Sequence, residues 1–366
     1  MAAALLQQQG YQVIGVTMQL WPAARHGEEE RPGGCCGIEA VTDAKRVAYK
    51  LGIPHYVLNL RDVFSRQVIA DFCREYLRGR TPNPCIRCNR HIKFDALLGR
   101  TQGLGADFIA TGHHARIERD GATGRYLLKK GRDRRKDQSY FLYPLTQEQM
   151  GRTLMPVGNL TKERVREIAA GLGLPVAAKP ESQEICFITD DDYPAFLREW
   201  IPGAGEPGPI LDRRGKVLGR HRGIMAYTIG QRRGLGIAAA EPLYVTGIEP
   251  ATNAVVVGGK EEIYGDGLTA ADLNWIALTG LEVPLTARAR IRYAHREAEA
   301  TLTPLAAGQI YVKFAAPQLA LTPGQAVVFY DGDTVLGGGT IERTGALDIA
   351  PAVRQNRDSA GCAAGG

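Results

Sequence analysis

The sequence predicts an α/β domain built on a doubly wound parallel sheet, followed by a small β-rich central domain and a C-terminal β-barrel. Three observations support this prediction. Strand-like and helix-like segments alternate through the first 200 residues, which is typical of a parallel sheet covered by helices. Glycine and proline become frequent from about Gly203, where helical periodicity disappears. Short strand-like runs separated by turns then fill residues 283–345, as in a small barrel.

The elements of the α/β part follow from hydrophobic periodicity and from residues that begin or end helices. Gly52 ends one predicted helix, and Thr161 is a plausible N-cap of a later one. Ligands of such a sheet bind beyond the carboxyl ends of its strands, so Met18, the TPNP loop at 81–84 and residues 111–114 should surround one crevice. The predicted elements are strands at 11–18, 55–60 and 107–111, and helices at 39–51, about 61–77, about 85–104 and 162–172.

The predicted domain boundaries follow from the changes in composition. The α/β domain is placed at 1–200, the central domain at 201–280 and the barrel at 281–350, and the small, polar residues 351–366 are predicted to be disordered. No apolar run approaches the ~18 residues of a membrane span, and the N-terminus lacks the basic region of a signal peptide. These features predict a cytoplasmic protein with no membrane partner.

The positive charge is clustered, although the net charge of +6 is small for 366 residues. Residues 129–136 hold six cations and one anion. In the predicted strand 286–293, Arg288, Arg290 and Arg292 share one face, with Ala289, Ile291 and Tyr293 on the other. Each cluster alone is typical of a solvated face, but two together make a polyanionic partner an equally good interpretation.

The CxxC pair Cys85–Cys88 admits three interpretations. Seven cysteines, an odd number, argue against a disulfide framework and for a reducing compartment. A structural zinc site needs four ligands, and no second CxxC provides them, whereas a redox dithiol is compatible with the helix that follows the pair. Cys88 is also a candidate nucleophile, because Arg87 and Arg90 are near it and cations and helix N-termini both favour the thiolate.

Two further thiols bear on this choice. Cys186, in the segment EICF, is a possible distant partner of Cys88, although a lone cysteine is most often a small buried apolar residue. Cys73 lies on the helix that precedes the TPNP loop, and we interpret it as structural.

Six segments of the sequence, in chain order, are TPNPCIRCNRHIKF, ATGHHAR, KDQSYFL, SQEICFI, YTIGQRRGLGI and TPGQAVVFYDGDTVLGGGTI. With this order and spacing they resemble the bacterial tRNA-specific 2-thiouridylase (MnmA) family of the PP-loop ATP pyrophosphatase superfamily. The resemblance runs from residue 1 to about 345, and six motifs in sequence are highly specific. It implies an adenine nucleotide alpha hydrolase-like fold with nucleotide binding and thiolation for the first domain, and tRNA binding for the central domain at 201–280.

What the resemblance implies is ATP-dependent 2-thiolation of the wobble uridine (U34) of tRNA. In that family ATP, with Mg²⁺, adenylates the C2 carbonyl oxygen, and a persulfide sulfur then displaces AMP. Cys186 matches the persulfide carrier, and Cys88 matches the nucleophile that forms a disulfide with it on turnover. A cysteine desulfurase or a sulfur-relay protein would supply the persulfide.

Other residues match the family's binding segments by position. Asn83, Pro84 and Cys85 match the segment that touches the target base. Some relatives have Asp where this sequence has Cys85, which leaves the role of that thiol open. Met18 and Gly112 match the adenosine side of the ATP site. The residues that match tRNA contacts are His113, Lys136, Asp137, Gln138, Arg292, Tyr293 and Gln325.

The sequence departs from the family at the phosphate-binding loop. Members open with a strand and a Ser-Gly-Gly-Val-Asp-Ser loop, which this sequence does not contain. We therefore expect a misassigned start, with poor ATP binding and no thiolation by the 366 residues themselves. The alternatives are a catalytically inactive tRNA-binding remnant, or a zinc or iron–sulfur protein with Cys85, Cys88 and Cys186 as cluster ligands.

Overall fold

The structure, a computed structural model, confirms the predicted architecture of an α/β domain, a small central sheet and a closed barrel. The predicted disorder of residues 351–366 lies outside the described residues. Those are 1–20, 38–176, 185–188, 192–201, 203 and 205–346.

The helices of the α/β domain lie close to their predicted positions. Gly52, with a φ of +67°, adopts the left-handed conformation that ends the second helix. No helix in the described ranges is long and apolar enough to cross a membrane. The helices are α1 (Ala2–Gln8), α2 (Ile38–Leu51), α3 (Arg61–Phe64), α4 (Ala70–Leu77), α5 (Pro84–Cys88), α6 (Leu97–Gln102), α7 (Gln147–Gly151), α8 (Lys162–Gly171) and α9 (Tyr193–Trp200).

Two of the predicted helices each contain a π-helical segment. Residues Ser65–Ile69 join α3 to α4, and residues Asn89–Ala96 join α5 to α6. Each pair is therefore one continuous helix, and we name the second one, residues 84–102, the CxxC helix. The extra residue per turn changes which side chains share a face, which a 3.6-residue period does not anticipate.

The strands of the described residues form four sheets. They are β1 (Gly15–Gln19), β2 (His55–Asn59), β3 (Ile109–Ala110), β4 (Ala115–Arg119), β5 (Tyr126–Lys130), β6 (Thr153–Leu154), β7 (Gly208–Asp212), β8 (Val217–His221), β9 (Tyr244–Glu249), β10 (Ala254–Gly258), β11 (Tyr264–Trp275), β12 (Leu285–Arg290), β13 (Ala298–Pro304), β14 (Ile310–Leu319), β15 (Ala326–Asp331) and β16 (Thr334–Thr344).

Two strand pairs of the α/β domain are parallel, as the alternation of strands with helices predicts. β1 pairs with β2 in the register Gly15 to His55 and Gln19 to Asn59, and β3 pairs with β6. The described residues thus contribute two parallel pairs. The central domain has the strand order β8-β7-β10-β9 around a core of Ile210, Val245 and Val255.

The barrel is closed by β11, because this strand pairs with both β14 and β16. The strand order β11-β14-β13-β12-β15-β16 leaves this ring without a free edge. The strand β11 precedes residue 281, where the sequence placed the start of the barrel. Within β12, Ala287 and Ala289 are buried and Arg288 is exposed, as the alternation of the sequence predicts.

A hairpin of the α/β domain extends the barrel sheet, a feature that the sequence did not indicate. β4 and β5 form an antiparallel pair, and β5 continues the sheet through the pairing of Lys129 with Thr334 of β16. Residues from the first domain therefore belong to a sheet made mostly of C-terminal strands.

Arg80 forms a second connection between the α/β domain and the barrel. Its guanidinium contacts Glu75 of α4 (Nε to Oε2, 2.6 Å) and Glu342 of β16 (Nη1 to Oε2, 2.6 Å). Burial lowers the pKa of Arg80, but the hydrogen bonds and charges of Glu342 and Glu75 outweigh it and raise the pKa above its ordinary value. Gly324 lies so close to Thr81 that a Cβ atom at position 324 would be 3.0 Å from the Thr81 backbone.

Replacing Arg80 by alanine should lower the free energy of unfolding by about 3–5 kcal/mol, because the buried carboxylate of Glu75 would keep only the exposed Arg78 as a partner. The matched control is Arg78→Ala, since Arg78 contacts the same carboxylate from a 62% exposed position and should cost less than about 1 kcal/mol. Urea denaturation followed by circular dichroism measures both. Equal costs for the two variants would contradict the assignment.

Candidate active site

The TPNP loop begins the CxxC helix with a side-chain cap. Asn83 occupies the N-cap position, where its Oδ1 accepts a hydrogen bond from the backbone N–H of Ile86 (3.3 Å), and Pro84 begins the first turn. The loop is also held by the barrel. The backbone N–H of Thr81 donates to the carbonyl of Pro323, and Nε2 of Gln325 donates to the carbonyl of Thr81 (2.9 Å). The predicted helix start is therefore confirmed.

The CxxC helix is buried on two faces. Cys88 and Ile92 pack in the core of the α/β domain, with Phe64 and Phe72. Ile86, Phe94 and Leu98 pack in a different core, which they share with barrel residues. The position of the helix is consequently fixed by both domains at once.

The two thiols of the pair have different environments. Cys85 is exposed, whereas Cys88 is buried in the apolar core of the α/β domain. Cys186 is half-buried and packs against that same core, as does Met18. Cys88 and Cys186 therefore border the same apolar core, although they are distant in sequence.

Phe187 holds Cys186 in this position. Its ring makes edge-to-face contacts with Phe64 (centroids 5.7 Å apart) and Phe72 (5.3 Å). Such an anchor directly after Cys186 fixes the chain on one side of this thiol. Cys73 also packs against this core, and burial raises the pKa of its thiol to about 11. Cys73 is therefore protonated near neutral pH.

The arginines next to Cys88 are compensated by carboxylates. Arg87 contacts Asp71 (Nε to Oδ2, 3.0 Å), and Arg90 contacts Asp272 of β11 (Nη1 to Oδ2, 2.6 Å). Asp272 also lies 3.6 Å from Arg87 and has a left-handed φ of +50° at an irregularity of its strand. Arg87 and Arg90 were expected to favour the Cys88 thiolate by their positive charge. That prediction did not consider these carboxylates.

Met18 and Gly112, the residues expected on the adenosine side of the ATP site, lie in or next to strands of the two parallel pairs. Met18 is half-buried in β1, and Gly112 follows β3, where a built Cβ atom would meet no other atom within 4 Å. Open space at Gly112 and apolar surface at Met18 are compatible with a purine ring. Within the described ranges, no three or more His, Cys, Asp or Glu side chains are grouped so that they could hold a metal ion.

His113 lies beneath the CxxC helix. Its Nδ1 atom is 2.8 Å from Oγ1 of Thr111, its Nε2 atom is 3.5 Å from Nζ of Lys93, and its ring packs against Phe94. Burial, followed by the charges of Lys93 and His114, lowers the pKa of His113 well below its ordinary value. The structure thus places this predicted RNA contact in the interior as a neutral imidazole.

Residues 136–138, which match tRNA contacts of the family, are held in place by hydrogen bonds within the chain. The Asp137 carboxylate is buried and accepts hydrogen bonds from the backbone of Gly131 and from both the backbone and the hydroxyl group of Ser139. Gln138 accepts one from the backbone of His114 (2.9 Å). Lys136 is half-buried on the same loop.

The remaining predicted RNA contacts lie on the barrel side of the CxxC helix. The ring of Tyr293 packs on Phe141 with centroids 4.5 Å apart, and the carbonyl of Phe141 accepts a hydrogen bond from Asn89 in the CxxC helix (3.0 Å). Arg292 is half-buried and donates to the carbonyl of Leu319 (3.2 Å). Gln325 contacts the TPNP loop, and Tyr293 is connected to the CxxC helix through Phe141.

Most cations of the 129–136 cluster have intramolecular partners. Lys129 contacts Glu118 at 2.5 Å and Lys130 contacts Glu297 at 2.7 Å. Arg134 pairs with Asp333, and Arg135 lies 3.1 Å from Glu163. The pattern of the sequence could not reveal these pairs, because the carboxylates come from distant segments.

The fold and the paired thiols define a HUP-domain protein with two appended β domains, and three family models match the chain in this order. They are the tRNA methyl transferase HUP domain at 1–190, the tRNA methyl transferase PRC-barrel domain at 194–259 and the aminomethyltransferase beta-barrel domain at 265–341.

Curated relatives match nearly the whole chain. A tRNA-specific 2-thiouridylase MnmA of Pelotomaculum thermopropionicum is 56% identical over 343 residues, which are 94% of either chain. The protein of that name from Heliobacterium modesticaldum is 57% identical and covers 95% of this chain and 90% of its own. The chain belongs to the tRNA-specific 2-thiouridylase (MnmA) family.

The burial of His113 predicts a pH dependence of stability. Its pKa is lowered in the folded state, so the unfolded chain binds the proton more tightly, and stability is lost as the pH falls below about 6.5. Between pH 7.5 and 5.5, His113→Gln should lose about 1 kcal/mol less unfolding free energy than the unchanged protein. Urea denaturation at both pH values measures this, and identical pH dependence in the two proteins would refute it.

Proposed function

We propose that this chain is a tRNA-uridine 2-sulfurtransferase, which uses ATP to replace the C2 oxygen of the wobble uridine by sulfur. The observation that carries the proposal is the packing of Cys88 and Cys186 at one apolar core, within a chain of this family. Two thiols that share a site can transfer sulfur and form a transient disulfide, which needs Cα atoms within roughly 7 Å.

The proposed chemistry assigns one role to each thiol. The outer sulfur of a Cys186 persulfide attacks C2 of the adenylated uridine, and AMP leaves with the former C2 oxygen. The thiolate of Cys88 then attacks Sγ of Cys186, so that the bond to the transferred sulfur breaks and its electron pair forms the C2 thiocarbonyl. The disulfide that results must be reduced, and a desulfurase or relay protein must reload Cys186, before another cycle.

The target base would be presented at the start of the CxxC helix. The side chain of Asn83 already caps the helix and Pro84 is buried, so Cys85 is the side chain that this segment exposes. A wobble base that is turned out of its stack could reach this position, since anticodon bases are accessible in single-stranded loops. Because Cys85 is a thiol, it offers a weak proton donor beside the base.

The predicted RNA contacts divide into two groups in this proposal. Asp137, Gln138 and His113 have internal partners and would position the loops beside the CxxC helix. Lys136, Arg292, Tyr293 and Gln325 are half-buried around the helix and would touch the RNA: Lys136 and Arg292 at phosphates, Tyr293 at a base face, and Gln325 by its amide group.

ATP would be bound with its adenosine side at Met18 and Gly112. Within the described residues, no three or more His, Cys, Asp or Glu side chains are grouped so that they could hold a metal ion. The cluster alternative would need Cys85, Cys88 and Cys186 together, whereas Cys85 is exposed on the helix and Cys88 is buried.

Formation of 2-thiouridine tests the proposal. Unmodified tRNA, ATP, Mg²⁺ and a persulfide donor should yield 2-thiouridine at the wobble position with the chain extended by an N-terminal strand and a Ser-Gly-Gly-Val-Asp-Ser loop, and equally with Cys73→Ala in that extended chain, whereas the 366 residues alone should yield none. Cys88→Ala and Cys186→Ala should reduce it to the level without protein, because each removes an essential sulfur atom. Nucleoside mass spectrometry after digestion measures the product.

The same assay distinguishes the alternatives. Thiolation by Cys186→Ala would contradict the assigned roles. Tight tRNA binding by the extended chain without 2-thiouridine would favour the inactive tRNA-binding remnant, and stoichiometric iron or zinc after anaerobic purification would favour the metal-binding thiol protein.

The thiol step can be tested without ATP, which matters because the sequence contains no Ser-Gly-Gly-Val-Asp-Ser loop. Mild oxidation with diamide should link Cys88 to Cys186, and peptide mass spectrometry under non-reducing conditions should identify this disulfide. Cys73→Ala should leave the yield unchanged. A dominant disulfide of Cys88 with Cys73 would contradict the pairing.

A further inference from the structure

Residues 213–233 of the central domain form a cationic surface that the sequence analysis did not single out. This stretch contains seven arginine or lysine residues and no aspartate or glutamate. All seven are exposed. They are Arg213, Arg214, Lys216, Arg220, Arg222, Arg232 and Arg233.

These cations differ from the two clusters that the sequence made prominent. In the 129–136 cluster four side chains contact carboxylates, and in β12 Arg290 contacts Asp137. Between 213 and 233 only Arg213 has a carboxylate partner among the described residues, Glu262 at 3.1 Å. Six of the seven cations in this stretch therefore have no carboxylate partner among the described residues.

The end of this stretch lies beside the TPNP loop. Met225 is buried in the same apolar core as Cys88, so the chain leaves that core and reaches Arg232 within a few residues. On the way, the hydroxyl of Thr228 lies 3.5 Å from the hydroxyl of Thr81, at the start of the loop. The guanidinium groups of Arg232 and Arg233 thus extend from a segment that contacts the loop carrying the proposed base site.

The backbone that carries the two arginines is fixed. Gln231 accepts a hydrogen bond from the backbone of Thr228 (3.0 Å) and donates one to the carbonyl of Arg233 (3.0 Å). Its backbone also pairs with Val245 of the central sheet. Gly230 has a φ of +85°, and a Cβ atom there would lie 2.7 Å from Cβ of Ala320 in the barrel. The loop is therefore held between two domains while its arginine side chains face solvent.

We propose that Arg232 and Arg233 bind the backbone phosphates next to the target nucleotide, and that the arginines and lysine of 213–222 continue this contact along the RNA. The inference rests on the proposed function, because it takes tRNA as the polyanion. Guanidinium groups suit phosphate oxygens by their planar, bidentate geometry, and exposed cations without carboxylate partners release counterions of the RNA on binding. The motif YTIGQRRGLGI thereby gains a role that the thiol chemistry does not require.

The test is tRNA binding by the double variant Arg232→Gln/Arg233→Gln across a series of salt concentrations. Loss of two phosphate contacts should weaken binding roughly tenfold or more at 0.1 M salt and reduce the slope of log K against log salt by about 1.5–2. The control is Arg164→Gln/Arg166→Gln on α8, which removes the same charge from two exposed arginines far from residues 213–233 in sequence. The control should keep the affinity and slope of the unchanged protein.

The outcomes separate this inference from the function on which it rests. If the unchanged protein binds tRNA and the Arg232/Arg233 variant matches it in affinity and slope, the inference is overturned. An equal decrease in the variant and the α8 control would also overturn it, because charge alone would then explain the loss. If the unchanged protein does not bind tRNA, the proposed function itself fails. Circular dichroism and the disulfide yield of Cys88 with Cys186 verify that the variant is folded.

Discussion

The double burial of the CxxC helix is the constraint on which the rest of the site depends. One face completes the core of the α/β domain through Cys88 and Ile92, and the other enters a core shared with the barrel through Ile86 and Phe94. A helix that is packed on two faces has little freedom to rotate, because core packing is dense and tolerates few displacements. The thiol of Cys88 is consequently positioned by two domains at once.

Much of the fold could be predicted, because local signals agreed with the tertiary structure. Gly52 ends its helix in the left-handed conformation that glycine allows. Asn83 caps the helix that was predicted to follow the TPNP loop. Closure of the barrel by β11 and its extension by the hairpin β4–β5 could not be predicted. Strand pairing between distant segments leaves no periodic mark in either strand.

The sequence was a better guide to the position of the thiols than to the electrostatics around them. Motifs drew attention to Cys88 and Cys186, and both side chains border one apolar core. Charge runs were a poor guide, because the cations at 129–136 are matched by carboxylates from four distant positions, which only the fold brings near. Conversely, the cations of 213–233 are spread along loops and strands, so they form no prominent charge run. Among them only Arg213 has a carboxylate partner within the described residues.

The hairpin β4–β5 makes the division into three modules incomplete. Cutting the chain at the limits of its first family model, residues 1–190, would keep this hairpin and remove β16, the strand against which it is built. A hairpin alone is marginally stable in water, and its exposed edge would be free to pair with other molecules. Recombinant fragments divided at that point should therefore aggregate. An exchange of C-terminal domains between relatives should transfer the hairpin β4–β5 together with the barrel.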